Sequence, residues 1–173
     1  MLIDNFNKTI DIWLDELQHY SIDKLLAKPD TTSWSMGQLY VHLIEETNWY
    51  FEQVELCFGN KENTAQTMKE SAKSMFQNNS FPNEKIKVDH SISDDEKQPA
   101  DWQTLHVDFK KLKKDGNEIW LKIEKVATPG KSEHPGLGFF GPLEWFQYAE
   151  MHMRHHLIQR GRIDNFLKTM IVT

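Results

Sequence analysis

Three of the chain's eight histidines lie in the stretch that decides the fold, Glu144-Trp145-Phe146-Gln147-Tyr148-Ala149-Glu150-Met151-His152-Met153-Arg154-His155-His156-Leu157. Apolar side chains recur in it every three or four positions, which is the periodicity of one face of an amphipathic helix. That face consists of Trp145, Phe146, Ala149, Met153 and Leu157. The pattern predicts a long helix that begins at Pro142, where proline's missing N–H is harmless, and runs to about Lys168.

His152 and His156 stand four residues apart, so both side chains lie on one side of this helix, one turn from each other. On a helical wheel His156 falls within the apolar face and His152 at its edge, whereas His155 is turned toward solvent. Two neutral imidazoles at this spacing can bind one divalent zinc, nickel, copper or iron ion. The same positions also suit histidines that are hydrogen-bonded in a core, and the spacing alone leaves both interpretations open.

The neighbouring residues lack the signatures of two familiar kinds of metal site. Zinc proteases carry a glutamate directly after the first histidine, and here that position is Met153. A carboxylate-bridged di-iron site needs two Glu-x-x-His motifs, and the chain has one, from Glu16 to His19. A third metal ligand must therefore come from another part of the chain.

Composition bounds the class of protein. A length of 173 residues suits a single domain, 1–173, with its own hydrophobic core. The net charge of −6 argues against a nucleic-acid partner, and the one lysine cluster, Lys110-Lys111-Lys113-Lys114, is typical of the solvent face of a helix.

The single cysteine, Cys57, excludes an intrachain disulfide and suits a reducing compartment. It lies at helical spacing from Val54 and Phe58, which indicates a buried structural thiol. No apolar run approaches the roughly 18 residues of a membrane helix, and the N-terminal residues do not resemble a secretion signal. We therefore expect a cytoplasmic protein with no membrane partner.

Periodicity predicts the remaining helices as well. The second long helix opens at Ser35, which forms a capping-box pattern with Gln38. In the third, Gly116 lies in the apolar seam, where a small residue can admit a bulky neighbour. The expected helices are 2–20, a short piece at 22–26, 35–59, a weakly amphipathic helix at 62–77, and 101–126.

Residues 78–99 contain two prolines and only scattered apolar side chains, Phe81, Ile86 and Val88, together with the charge run Asp94-Asp95-Glu96. Such a stretch cannot bury a core of its own, so we expect a long surface excursion between the second and third long helices. No strand pattern is found. The expected fold class is all-α, an antiparallel four-helix bundle with an extra short helix, in which the excursion allows a crossover connection.

Two segments together resemble the DinB superfamily of helical-bundle proteins. The first is Trp34-Ser35-Met36-Gly37-Gln38-Leu39-Tyr40-Val41-His42-Leu43. The second comprises His134-Pro135, Gly141-Pro142-Leu143-Glu144-Trp145 and His152-Met153-Arg154-His155-His156-Leu157-Ile158-Gln159. Outside these segments only the helix pattern and the length agree.

The resemblance implies a DinB-like four-helix bundle in which His42, His152 and His156 bind one divalent transition metal, zinc or nickel before others. Three protein ligands leave an open position, as in catalytic zinc sites. Related members are thiol-dependent transferases or isomerases that use bacillithiol, mycothiol or glutathione. The expected function is therefore that of a metal-dependent S-transferase, or a related hydrolase, acting on small electrophilic molecules. A metal in such a site lowers the pKa of a thiol and holds it as thiolate.

Other expectations concern the surroundings of this site. Gln159 matches a position that is often polar in the superfamily, which implies orientation of a ligand or contact with the cofactor; an exposed helical glutamine is the alternative. The substrate pocket is expected between the second and fourth long helices, with loops 30–34, 135–140 and 78–100 as walls. No catalytic base is evident in the sequence.

A homodimer is expected from the resemblance and from surplus aromatic residues such as Trp49. The alternative to an enzyme is a non-catalytic bundle whose metal site is structural or vestigial, and which binds a small ligand or acts in a stress response.

Overall fold

The computed structural model describes residues 1–59, 61–82 and 97–170. Within these ranges the chain is mostly helical, with six helices and one two-stranded antiparallel sheet. The helices are α1 (Leu2–Leu17), α2 (Ile22–Leu26), α3 (Met36–Gly59), α4 (Glu70–Asn78), α5 (Trp102–Ile123) and α6 (Pro142–Thr169). The strands are β1 (Ser132–His134) and β2 (Gly138–Phe140).

The predicted start of the second long helix is confirmed in detail. The backbone N–H of Gln38 donates to Oγ of Ser35 at 3.1 Å, and the backbone N–H of Ser35 donates to Oε1 of Gln38 at 3.0 Å. This reciprocal pair is the capping box that the sequence predicts, and it fixes the first turn of α3.

The prediction that the chain contains no strand was wrong. Residues 132–134 pair with residues 138–140 in a short hairpin, whose turn needs glycine because Gly136 and Gly138 have φ angles of +102° and +87°. Strands of three residues are too short to show an alternating pattern. The hairpin also explains why α4 begins at Glu70 rather than near 62, since the preceding backbone N–H of Lys69 donates to Leu137 O at 2.8 Å.

The four long helices lie side by side, and ring contacts give their directions. Phe6 near the start of α1 contacts Phe51 of α3, whereas Trp13 later in α1 contacts Tyr40 earlier in α3. Thus α1 and α3 run antiparallel. All four of these rings are buried in the hydrophobic core that the helices share.

By the same reasoning α5 runs parallel to α3. Phe109 of α5 contacts Tyr40 at 5.2 Å between ring centroids, and Gly116 further along α5 faces Phe51. Both helices therefore begin at the same end of the molecule, so their connection is a crossover. The crossover connection that the sequence allows between the second and third long helices is therefore present, between α3 and α5.

Gly116 fills the role predicted for it. A Cβ atom at this position would overlap the ring of Phe6 and would lie 3.2 Å from Cζ of Phe51. The absence of a side chain therefore lets the buried Phe6 ring pack directly against the backbone of α5.

Cys57 is buried, as predicted, and its thiol donates to Phe140 O at 3.6 Å. Burial raises the pKa of this thiol, which does not favour a nucleophilic role. The lysine cluster lies on the solvent side of α5, where Lys113 pairs with Asp11 at 2.6 Å. No helix in the described part of the chain has both the length and the apolar character to cross a membrane.

Trp49 is half-buried and packs against Trp145 at 5.4 Å. Among the described residues no tryptophan, tyrosine or phenylalanine is exposed, so the aromatic side chains offer no support for a dimer, and the homodimer stays a prediction. The predictions for Ile86, Val88 and Asp94-Asp95-Glu96 concern residues outside the described ranges.

Candidate metal centre

Three histidines from two antiparallel helices meet at one point of the fold. His42 comes from the second turn of α3, and His152 and His156 from two successive turns of α6. One ring nitrogen of each lies within 4.8 Å of the others, and the ring centroids are 4.5 to 5.1 Å apart. These are the three residues that the resemblance implies. His155 is exposed, as the wheel predicts.

The closest pair of nitrogens has a spacing suited to a shared ion. Nε2 of His152 lies 3.1 Å from Nε2 of His156. Two ligands at the corners of a tetrahedron with zinc–nitrogen bonds of about 2.0–2.1 Å lie about 3.3 Å apart. The two rings therefore need almost no movement to bind one ion together, and the cluster can hold a divalent metal.

Gln159 contacts the site through one of its histidines. Nδ1 of His156 lies 2.8 Å from Oε1 of Gln159, an acceptor, so the ring nitrogen donates a proton to this bond. With the proton on Nδ1, Nε2 of His156 keeps its lone pair and faces His152. Fixing the tautomer of a ligand in this way is the usual task of a residue behind a metal site. The predicted contact of Gln159 with a cofactor stays a prediction.

Burial keeps two of the histidines neutral. The pKa of His152 is well below its usual range, chiefly because burial penalises the charged ring, with smaller contributions from His156, His42 and His155. Burial also lowers the pKa of His156 to about 4; His42 lowers it further, while the bond to Gln159 opposes the shift. At neutral pH both rings are uncharged, which is the form that binds a metal.

Aromatic rings surround the histidines. The Trp34 ring lies 4.8 Å from the ring of His42, Tyr50 lies 5.5 Å from His152, and Phe81 lies 6.4 Å from His152. Residues 34 and 81 belong to two of the three predicted walls. The hairpin, which contains the third wall, lies about one turn earlier along α6, where the ring of His134 contacts that of Tyr148 at 4.9 Å.

One carboxylate is linked to the site through Tyr50, whose ring contacts His152, and was not singled out as a catalytic group from the sequence. Glu46 lies one turn after His42 on α3 and accepts a hydrogen bond of 2.8 Å from the Tyr50 hydroxyl. Burial, and secondly this carboxylate, raise the pKa of Tyr50, which keeps the phenol protonated. The signal that could have identified Glu46 is its i, i+4 spacing from His42, which puts both side chains on one helical face.

No protein-family model, curated protein or solved structure matches this chain. Three neutral imidazoles with converging ring nitrogens form a donor set that suits zinc, nickel, copper or iron. A set of three leaves a coordination position for an exogenous molecule.

Proposed function

We propose that this chain is a metal-dependent enzyme of DinB-like type that transfers the sulfur of a low-molecular-weight thiol to a small electrophilic molecule. The observation that supports it best is the group of three histidines, His42, His152 and His156, whose ring nitrogens lie within 4.8 Å of one another. In this proposal residues 1–173 form one DinB-like four-helix bundle. Its four members are α1, α3, α5 and α6.

The residues present fit the roles that such a reaction needs. The three imidazoles would hold a zinc or nickel ion, which would lower the pKa of a bound thiol and favour its thiolate form. Gln159 orients His156 through its bond to Nδ1. The rings of Trp34 and Phe81 limit the access of water to the histidines. Exclusion of water strengthens the electrostatic interactions inside the site.

Glu46 is the group we assign to proton transfer. Its carboxylate takes the proton of the incoming S–H group, the sulfur forms a bond to an electrophilic carbon, and the leaving group departs with the bonding electron pair. The proton on Glu46 then passes to that leaving group, so the carboxylate is regenerated. The hydrogen bond from Tyr50 holds the carboxylate in place during these steps.

The remaining parts of the proposal concern setting and assembly. The substrate and the thiol are small molecules, the protein acts in the cytoplasm, and the active species is a homodimer. Neither nucleic acid nor a membrane is a partner in this proposal. A net charge of −6 supports the first of these exclusions.

A non-catalytic bundle with a structural metal site is the second candidate. It is favoured by one observation, the enclosure of His152, whose Nδ1 atom is buried and whose ring contacts those of Tyr50 and Phe81. A closed structural zinc site normally has four protein ligands, however, and the cluster in the described residues has three. The donor count therefore favours the catalytic proposal.

The metal content of the protein is the first test. Protein purified without a histidine tag or added metal is expected to carry about one first-row ion per chain. Replacing His42, His152 or His156 by alanine is expected to abolish loading, because two imidazoles alone hold such an ion weakly. The matched control is His155→Ala, an exposed histidine on the same helix, which is expected to load normally. Undiminished metal in His42→Ala would refute the three-ligand assignment.

The thiol chemistry needs a second test. The cobalt(II) form is titrated with bacillithiol, glutathione and simple thiols, and a sulfur-to-cobalt charge-transfer band is expected to appear. Turnover is then followed as loss of thiol in the presence of a panel of electrophiles. If no thiol changes the spectrum and none is consumed, the S-transfer proposal fails while the metal site stands.

A further inference from the structure

The indole N–H of Trp34 is buried and has no hydrogen-bond partner among the described residues. Four of the other tryptophans donate their indole N–H to a protein acceptor: Trp13 to Met153 O, Trp102 to Leu17 O, Trp120 to Oε1 of Glu124 and Trp145 to Oγ of Ser132. A buried donor without an acceptor costs about 1–3 kcal/mol, and folded proteins retain few of them. The Trp34 indole N–H therefore has no acceptor within the described residues and can donate to a bound ligand.

Trp34 lies beside the three-histidine cluster. The residue directly precedes the capping box of α3, and its ring lies 4.8 Å from the ring of His42. The indole thus stands at the edge of the three-histidine cluster. A second buried polar atom without a partner, Nδ1 of His152, belongs to the same cluster.

We propose that Trp34 is a ligand-binding residue whose indole N–H donates a hydrogen bond to an anionic ligand atom at the open position of the three-histidine centre. This inference rests on the proposed metal site and names the class of its exogenous ligand. Neutral histidines leave the two positive charges of a divalent ion uncompensated, so the centre attracts an anion such as a thiolate. A hydrogen bond to a charged acceptor is stronger than one between neutral groups.

Azide is the probe that tests this directly, because it is a small anion whose binding changes the visible spectrum of cobalt(II). The full chain in its cobalt form is titrated with azide, as wild type, Trp34→Phe and Trp49→Phe. Phenylalanine keeps an aromatic ring and removes only the N–H donor. Trp49→Phe is the matched control, since Trp49 is a half-buried tryptophan that packs against Trp145.

All three proteins are expected to bind cobalt(II) with the same affinity. The azide affinity of Trp34→Phe is expected to be about tenfold or more below that of the wild type, because a hydrogen bond to a charged group contributes at least that much to affinity. Trp49→Phe is expected to bind azide like the wild type. Equal azide affinity in Trp34→Phe and wild type would overturn the inference. A comparable loss in Trp49→Phe would overturn it too, because the effect would then not be specific to Trp34.

Nuclear magnetic resonance of the wild-type zinc form gives a second readout that needs no variant. The indole N–H signal of Trp34, assigned through its proximity to His42, is expected to move downfield as azide binds. The signal of Trp13, which donates to Met153 O, is expected to stay in place. A Trp34 signal that does not move at saturating azide would contradict the proposed bond.

The outcomes separate this inference from the proposed function. Wild-type protein that binds no cobalt(II) overturns both the metal centre and the role of Trp34. Protein that binds cobalt(II) and azide in the expected pattern, but no thiol, supports the role of Trp34 and overturns S-transfer. Thiol binding with an unchanged azide affinity in Trp34→Phe supports S-transfer and overturns the role of Trp34.

Discussion

Replacing Gln159 by leucine tests whether the residue behind His156 tunes the metal site. The substitution removes the acceptor that lies 2.8 Å from Nδ1 of His156 and keeps a side chain of similar size. The ring then loses the bond that fixes its tautomer and orientation, so Nε2 no longer faces the site in every molecule. We expect weaker metal binding with the fold intact.

The magnitude follows from two opposing effects. Loss of a residue that orients a metal-binding histidine typically weakens metal affinity by about 10- to 100-fold. Loss of the same bond also weakens proton binding by His156, because the bond to Gln159 raises the pKa of this ring. That pKa is already lowered to about 4, so at neutral pH no proton competes appreciably with the metal. The first effect therefore decides the outcome.

The assay is a competition with a chromogenic zinc chelator at pH 7, which gives the affinity of each variant. Gln103→Leu is the matched control, since Gln103 is exposed at the start of α5. Circular dichroism confirms that both variants are folded. A Gln159→Leu protein that binds zinc as tightly as the wild type would refute the orienting role.

Three further predictions concern stability and assembly. Gly116→Ala is expected to destabilise the protein by about 1–3 kcal/mol in urea titrations, because the added Cβ overlaps the ring of Phe6. Gly161→Ala is the control: a Cβ at this position of α6 meets no other atom within 4 Å, so the substitution is expected to be neutral or stabilising. The metal-free protein is expected to lose about 3 kcal/mol of stability through His156 alone as the pH falls from about 6.5 to 4. Burial lowers the pKa of this ring to about 4, so the unfolded chain takes up the proton first. The stability of His156→Gln is expected to depend less on pH, and an equal dependence would contradict the lowered pKa of His156. Light scattering at micromolar concentration is expected to give the mass of a homodimer, and a monomer mass would exclude it.

The helix that carries His152 and His156 was predictable because its pattern of apolar residues lies within one continuous stretch of the sequence. The 3.6-residue periodicity of residues 145–157 gives both the helix and the face of His152 and His156. Gly116 was predictable for the same reason, since its place in the seam of α5 follows from the spacing of its apolar neighbours. The structure confirms the close approach of Phe6 there.

What the sequence could not supply by itself depends on contacts between distant residues. Nothing in the periodicity of α3 brings His42 to α6; that ligand was predicted through a resemblance. The hairpin was missed because its strands are short and because the contact that completes it, Lys69 N–H to Leu137 O, joins residues far apart in the chain. The roles proposed for Trp34 and Glu46 likewise depend on neighbours that only the fold provides.

The protons of the cluster can be arranged in two ways, one with an internal hydrogen bond and one with a bound ion. With Nδ1 of His156 donating to Gln159, the 3.1 Å contact between the Nε2 atoms is a hydrogen bond only if His152 carries its proton on Nε2. Nδ1 of His152 is then a buried acceptor without a donor. With a metal, His152 carries its proton on Nδ1, which is then a buried donor without an acceptor. The unpaired atom costs about 1–3 kcal/mol in either state, so it favours neither arrangement. The metal-bound arrangement is the one that the proposed function requires, and it leaves no more unpaired atoms than the internal hydrogen bond does.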